Sequence, residues 1–186
     1  MMVIALLPGL AAFGLMILYD WLQAYRGKHR SILLFAGALL LILSTVWLLI
    51  LADLPASFQS GVVRFVIGAC GALASTACMV YALFFALPFS DTYTASGKKT
   101  CVYRGWYALC RHPAAFCCYF VYAFLLLMAP ALSTLLALLI LPNMNLVYVA
   151  LEDRYFFPRT IEGYDSYKQT TPFLIPTRAS VKRMQG

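Results

Sequence analysis

Five long apolar stretches dominate this chain, and their length makes lipid its solvent. Residues 3–22, 32–52 and 62–89 each supply the roughly 20 apolar residues that cross about 30 Å of hydrocarbon. Residues 114–129 and 132–151 form a fourth and a fifth stretch, with Met128-Ala129-Pro130 at the break between them. Charged residues make up 11% of the chain, against about 25% in a soluble domain. A spanning segment must satisfy its own backbone polar groups, so helices are expected. The expected fold is an all-α integral membrane protein with five transmembrane helices, the last two forming a tight antiparallel hairpin. The chain reads as one membrane domain. Residues 1–89 are a three-span scaffold, and residues 90–186 carry a loop, the hairpin and a C-terminal tail.

Orientation follows from Lys and Arg. One cluster, Arg26, Lys28 and Arg30, lies between the first two stretches, and another, Lys98, Lys99, Arg104 and Arg111, lies between the third and fourth. A third, Arg154, Arg159, Lys168, Arg178, Lys182 and Arg183, follows the fifth. Five crossings put all three on one side, and only Arg64 falls on the other. The positive-inside rule then predicts an outside N-terminus and a cytoplasmic C-terminus. A thiol at position 57 is expected to be reachable from outside, and one at position 97 is not. The first stretch lacks a basic n-region and is long for an h-region, so it is expected to be a retained span.

The net charge of +7 is explained by this topology, with the lipid bilayer and its anionic headgroups as partner. The basic residues hug the apolar stretches and form no extended patch, which excludes a nucleic-acid binder. The six cysteines contain no CxxC pair and there are only two histidines, so no metal site is expected. Cysteines 101 and 110 face the cytosol on this topology, where a structural disulfide is disfavoured.

The polar residues concentrate beside the last two stretches. Gly68-Ala69-Cys70-Gly71-Ala72 and Ala74-Ser75 give the third stretch a small face suited to close helix approach. Ser96-Gly97-Lys98-Lys99 reads as a turn in the loop that follows. Arg111-His112-Pro113 opens the fourth stretch, with Pro113 fitting a first-turn position where its missing N–H costs nothing. A helix N-terminus there favours anionic groups, and Arg111 adds a planar fork suited to a carboxylate. On the fifth stretch Asn145, Tyr148 and Glu152 share one helical face. Glu152-Asp153 places two carboxylates where the helix dipole prefers cations, a cost that a nearby Arg or a cationic or hydroxyl-rich ligand must offset. The aromatic tail beyond it is compatible with an interfacial segment or with a lid folded back on the helices.

Gly105-x-Tyr107-x-x-x-Arg111-His112-Pro113 resembles the G-x-Y-x-x-x-R-H-P signature of integral-membrane methyltransferases, the isoprenylcysteine carboxyl methyltransferases and their phospholipid N-methyltransferase relatives. The acidic pair Glu152-Asp153, Tyr164-x-x-Tyr167 and Phe173-Leu174-Ile175-Pro176 are similar to that family's later motifs, in the same order. The resemblance spans residues 105–176, under half of the chain. It implies S-adenosylmethionine as cofactor, in a cytoplasmic pocket closed by the tail, and methyl transfer to a lipophilic acceptor such as a prenylcysteine carboxylate or a lipid amine. By the resemblance, Gly105, Tyr107, Arg111, His112, Pro113 and Glu152 hold the cofactor, and Asp153, Tyr164 and Tyr167 support or close the pocket. Arg111 and His112 are the candidates for a catalytic part.

The chemistry of the residues agrees with that set. Arg111 suits the cofactor carboxylate, Glu152 its ammonium or ribose diol, and tyrosine faces its sulfonium. Phe116, Tyr119, Asn145 and Tyr148 are the candidates for contact with the acceptor. Two differences from the family, Ala114-Ala115-Phe116-Cys117 after Arg-His-Pro and Thr160-Ile161 before the spaced tyrosines, bear on acceptor specificity. NADPH-dependent membrane sterol and steroid reductases also share Arg-His-Pro and the late tyrosines. A third reading is a membrane protein of this type without enzymatic activity.

Overall fold

The structure, a computed structural model, describes residues 1–26, 30–86, 99–101 and 104–185. Lys28, Lys98, the turn at 96–98 and the end of the third stretch at 87–89 lie outside the described residues.

Helix α1 (Met2–Arg26) and α2 (Ser31–Ile50) form the first pair, and short α3 (Leu54–Gln59) follows. Asp53 caps α3 in the left-handed region at φ 50°, accepting a hydrogen bond from the Ala56 N–H. Asp tolerates that region because its short side chain bonds the local backbone. Helix α4 (Val62–Val80) widens into a π-turn at Tyr81–Phe85. Short α5 (Trp106–Leu109) leads into α6 (Pro113–Met128), and three residues later α7 (Leu132–Leu151) begins. A second π-turn at Glu152–Phe156 carries α7 into α8 (Phe157–Thr160). The tail adds α9 (Tyr164–Thr170) and α10 (Arg178–Gln185). Two-residue strands β1 (Lys99–Thr100) and β2 (Ile161–Glu162) pair in parallel, so the loop before α6 is tied to the tail.

Four helical runs are long and apolar enough to cross a bilayer: Met2–Arg26, Ser31–Ile50, Val62–Phe85 and Leu132–Thr160. The expected fourth stretch forms an apolar helix of only 16 residues, Pro113–Met128, about 24 Å long at 1.5 Å per residue. Pro113 opens it and the Ala129-Pro130-Ala131 connection closes it, which sets the length. Large apolar side chains face outward on the long helices, including Ile42 at 59% and Leu73 at 71% exposure. A soluble protein would hide such rows, so this surface suits a lipid environment.

Small residues decide the helix pairing. A Cβ on Gly9 would meet Leu141 Cδ2 at 2.7 Å and Ser44 Oγ at 2.9 Å, and Ser44 donates a 2.6 Å bond to the Ala5 carbonyl. A Cβ on Gly68 would collide with the Met128 backbone, and one on Gly71 would strike the Phe124 ring. The small face of α4 is therefore where α6 docks. Tyr122 on α6 and Thr45 on α2 share a 2.8 Å hydrogen bond that ties the two pairs together, a contact worth on average about 0.6 kcal/mol within a membrane. Gly68→Ala is expected to destabilise by about 1–3 kcal/mol, because backbone cannot step aside as a side chain can. Gly14→Ala, with nothing within 4 Å, is expected to be neutral or stabilising. Thermal unfolding in detergent compares the two, and equal effects would contradict the close α4–α6 approach.

The described parts of the three basic clusters adjoin at one end of the bundle. Arg159 beyond α7 lies over the Tyr25 ring at the end of α1, 4.8 Å from its centroid, and Arg111 at the start of α6 meets Asp153 at the end of α7. Arg64 bonds the Ser57 carbonyl in the α3 region. Ser57 is itself buried, donating to the Ala52 carbonyl, so the reachable position in that connection is the exposed Gln59 rather than 57.

Candidate functional site

The loop before α6 is built for a sharp entry. Gly105 takes φ 59° and ψ −131°, a conformation that a residue with a Cβ adopts only under strain, and α5 begins immediately after it. Tyr107 on α5 donates to the Ala82 carbonyl in the π-turn after α4, at 3.0 Å, and its own carbonyl accepts from Tyr167 at 2.6 Å. Cys110 and Arg111 then lead to His112, the N-cap of α6, with Pro113 in the first turn as its geometry favours.

The tail folds back over this entry. The Arg111 N–H donates to the Pro172 carbonyl at 2.9 Å and the His112 N–H to the Phe173 carbonyl at 3.2 Å. The imidazole of His112 stacks on Phe157, 5.9 Å between centroids, and meets the Phe173 ring edgewise at 5.0 Å. The Arg111 guanidinium covers the Phe173 ring, and its Nη1 donates to the Lys168 carbonyl at 3.0 Å.

Asp153 is the hub of that closure. Its Oδ1 accepts from the Tyr164 hydroxyl at 2.7 Å and stands 3.1 Å from Arg111 Nε and 3.5 Å from His112 Nε2. Its Oδ2 lies 3.0 Å from Lys168 Nζ, which also donates to the Asp153 carbonyl. Tyr164 takes the aligned position on Oδ1, so Arg111 Nε and His112 Nε2 reach ion-pair distance without hydrogen-bond geometry and stay buried. Burial holds the His112 pKa below the ordinary imidazole range, against the pull of Asp153 in the other direction. The ring is neutral at neutral pH and, facing a carboxylate, carries its hydrogen on Nε2 by inference from the network. Burial pushes the Cys110 thiol up to about 11, so it is not a nucleophile at neutral pH. Burial, then Asp153, also raises the Tyr164 phenol far above its ordinary value, and it acts as a donor only.

Glu152 leaves the helix in a different direction. The π-turn begins at this residue, and such widened turns recur at functional sites because they re-aim consecutive side chains. Asp153 turns to the tail, whereas Glu152 neighbours Tyr148, whose hydroxyl donates to Asp20 of α1 at 2.7 Å. Tyr19, 3% exposed, lies within electrostatic reach of both Asp20 and Glu152.

An apolar pocket of about 380 Å³ opens beside the α6 entry, between α4, α5 and the tail. Its walls include Trp106, Pro113, Phe116, Phe120 and Leu174.

The structure thus brings Gly105, Tyr107, Arg111, His112, Pro113, Asp153, Tyr164 and Tyr167 to one end of the bundle, and sets Tyr148, with Glu152 beside it, where α7 packs on α1. Phe116 lines the apolar pocket. Tyr119 donates to Asn143 at 2.9 Å on an exposed face, away from the hub, and Asn145 is half-buried on α7. Of the three Arg expected to offset the acidic pair, Arg111 pairs with Asp153, Arg159 covers Tyr25 and Arg154 covers Tyr155.

Sequence reasoning gave no site role to Phe157, to Lys168 of the third basic cluster or to Phe173 of the late motif, which complete the closure, and none to Asp20. A lone carboxylate six residues before the end of an apolar helix was the signal for the last. All six cysteines are free thiols, and no group of three metal-ligating side chains converges among the described residues. No family model, no curated protein and no solved structure matches this chain.

Proposed function

We propose that this chain is a membrane methyltransferase that uses S-adenosylmethionine and acts on a lipophilic acceptor. The observation that carries the reading is the divergence of Glu152 and Asp153 at a point where the loop, the α6 entry and the tail meet. Asp153 fastens the tail, and Glu152 remains turned toward the bundle as a carboxylate beside tyrosine hydroxyls.

The residues present fit the cofactor by charge. Arg111 and His112 stand at the positive N-terminus of α6, where a cofactor carboxylate would share them with Asp153. Glu152 suits an ammonium or a ribose diol. S-adenosylmethionine, when bound, supplies a methyl group on a positively charged sulfur. Such a displacement needs alignment and exclusion of water more than proton transfer. The folded-back tail and the rings around His112 supply that exclusion. The pocket lined by Trp106, Phe116 and Phe120 accepts the hydrocarbon chain of the acceptor from the side.

In this reading α6 is the fourth of five crossings, the tail closes the pocket, and the basic end of the bundle faces the cytosol. With the native cysteines replaced, Gln59→Cys is expected to react with an impermeant maleimide from outside, and Gly97→Cys only after permeabilisation. The reverse pattern would overturn the orientation.

Equilibrium binding of S-adenosylmethionine, its demethylated product and NADPH to the detergent-purified protein tests the function. Micromolar binding of the two adenosyl compounds supports methyl transfer, and selective binding of NADPH would move the protein to the reductases. Binding of neither would favour the non-enzymatic reading, which draws on the internal partners of Asp153.

A further inference from the structure

We infer that the outward face of α7, centred on Asn143, is the surface through which two copies of this chain pair within the bilayer. The inference goes beyond methyl transfer and does not depend on it. Helix α7 belongs to a helical run long and apolar enough to cross a membrane. It packs against α1, α2 and α6, and one stripe is left facing outward. That stripe is Leu132, Leu135, Leu139, Asn143, Val147 and Ala150, at helical steps of three or four residues. Asn143 is its one polar member, and it is exposed.

The position is deep. Asn143 lies eleven residues, about 17 Å, from the Leu132 end of α7 and eight residues, about 12 Å, from the Leu151 end. Lipid headgroups and bulk water stay outside a hydrocarbon layer of about 30 Å. A polar side chain at that depth is expensive and marks function.

The amide is half used. A primary amide has two N–H donors and two acceptor lone pairs. Tyr119 on α6 donates its hydroxyl hydrogen to Asn143 Oδ1 at 2.9 Å, and Asn143 Nδ2 donates to the Leu139 carbonyl at 2.9 Å. Together the two bonds set which end of the amide carries the nitrogen. One N–H and one lone pair remain, with no partner among the described residues. In hydrocarbon only another polar group can meet them.

What remains selects the partner. An acyl chain covers the leucines but offers neither donor nor acceptor. A second Asn143, related by a two-fold axis, offers both. Each Nδ2 then donates to the other copy's Oδ1, and the same face serves on both sides of the interface. One asparagine in an apolar seam fixes the register and number of paired helices, and interhelical amide bonds hold membrane helices together. Leu139 and Val147, about one turn to either side, close the seam around the pair.

The test uses the full chain without cofactor, labelled at its C-terminus with donor or acceptor dye and co-reconstituted in phosphatidylcholine liposomes at increasing lipid dilution. Energy transfer reports pairing, and stepwise photobleaching counts the copies. The wild type is expected to form dimers. Asn143→Leu is expected to weaken pairing about fivefold or more, from the loss of two such bonds. Asn143→Gln, which keeps the amide, is expected to restore much of it. Tyr119→Phe is expected to retain pairing, since it only frees a second lone pair on Oδ1. A second arm keeps Asn143 native and so stands even where Asn143→Leu fails to fold. With the native cysteines replaced, Leu139→Cys and Val147→Cys are expected to cross-link two copies on mild oxidation, and Leu73→Cys on the outer face of α4 is not. A monomeric wild type, pairing undiminished in Asn143→Leu, or equal cross-linking at position 73 would overturn the interface. A monomer that retains a lipid on this stripe would assign the face to lipid instead. Cofactor binding is measured separately, so failure there leaves this result standing.

Discussion

Asp153→Ala is expected to destabilise the protein by about 3–5 kcal/mol, as removal of one member of a buried ion pair does. The side chains of both Asp153 and Arg111 are 8% exposed, so the mutation strands a guanidinium that water cannot reach. It also removes the acceptor of the Tyr164 hydroxyl and the anchor of Lys168. Lys168→Ala is the control. Its side chain is 37% exposed, and loss of a pair that open to solvent costs under about 1 kcal/mol. Thermal unfolding in detergent measures both, and limited proteolysis beyond residue 160 reports whether the tail has come away. A loss no greater for Asp153→Ala than for Lys168→Ala would mean that the hub does not hold the tail.

The neighbouring carboxylate is expected to behave differently. Glu152→Ala should cost much less thermal stability than Asp153→Ala, because Glu152 is half-buried where Asp153 is buried. Its effect falls on the proposed cofactor. Loss of one charge-assisted hydrogen bond, about 1.5–3 kcal/mol, weakens S-adenosylmethionine binding about 10- to 100-fold. His112→Ala should impair binding or turnover as well. Arg64→Ala should do neither, since Arg64 is engaged with Ser57 and Ser60 in the α3 region. Unchanged affinity in Glu152→Ala would remove the assigned role, and a stability loss matching Asp153→Ala would make both carboxylates structural.

Much of this arrangement is legible in the sequence because it rests on local rules. Span lengths, the start of α6 at Pro113 and the short connection to α7 follow from hydropathy and proline placement. The close approach of α4 and α6 follows from glycines at 68 and 71. The pairing of Arg111 with an acid near 152–153 is a matter of charge. The choice between the two acids is not, because it depends on a π-turn, and a one-residue widening leaves no trace in hydrophobic periodicity. Asp20 was overlooked because a single carboxylate barely shifts the mean hydropathy of a long helix. Its partner, Tyr148, lies 128 residues away, and only the packing of α1 against α7 brings them together.

The length of α6 bears on the bilayer as well as on the bundle. A helix of about 24 Å beside longer ones falls some 6 Å short of a typical hydrocarbon layer. With α6 as the proposed fourth crossing, lipids along that face would thin, tilt or draw their carbonyls inward to match it. The apolar pocket opens on the same flank, at the Pro113 end. A headgroup arriving there sinks through a shallower slab of oil than elsewhere on the perimeter. Membrane thickness then becomes a control on access, with thin, short-chain bilayers admitting lipids to this flank more readily than thick, sterol-rich ones.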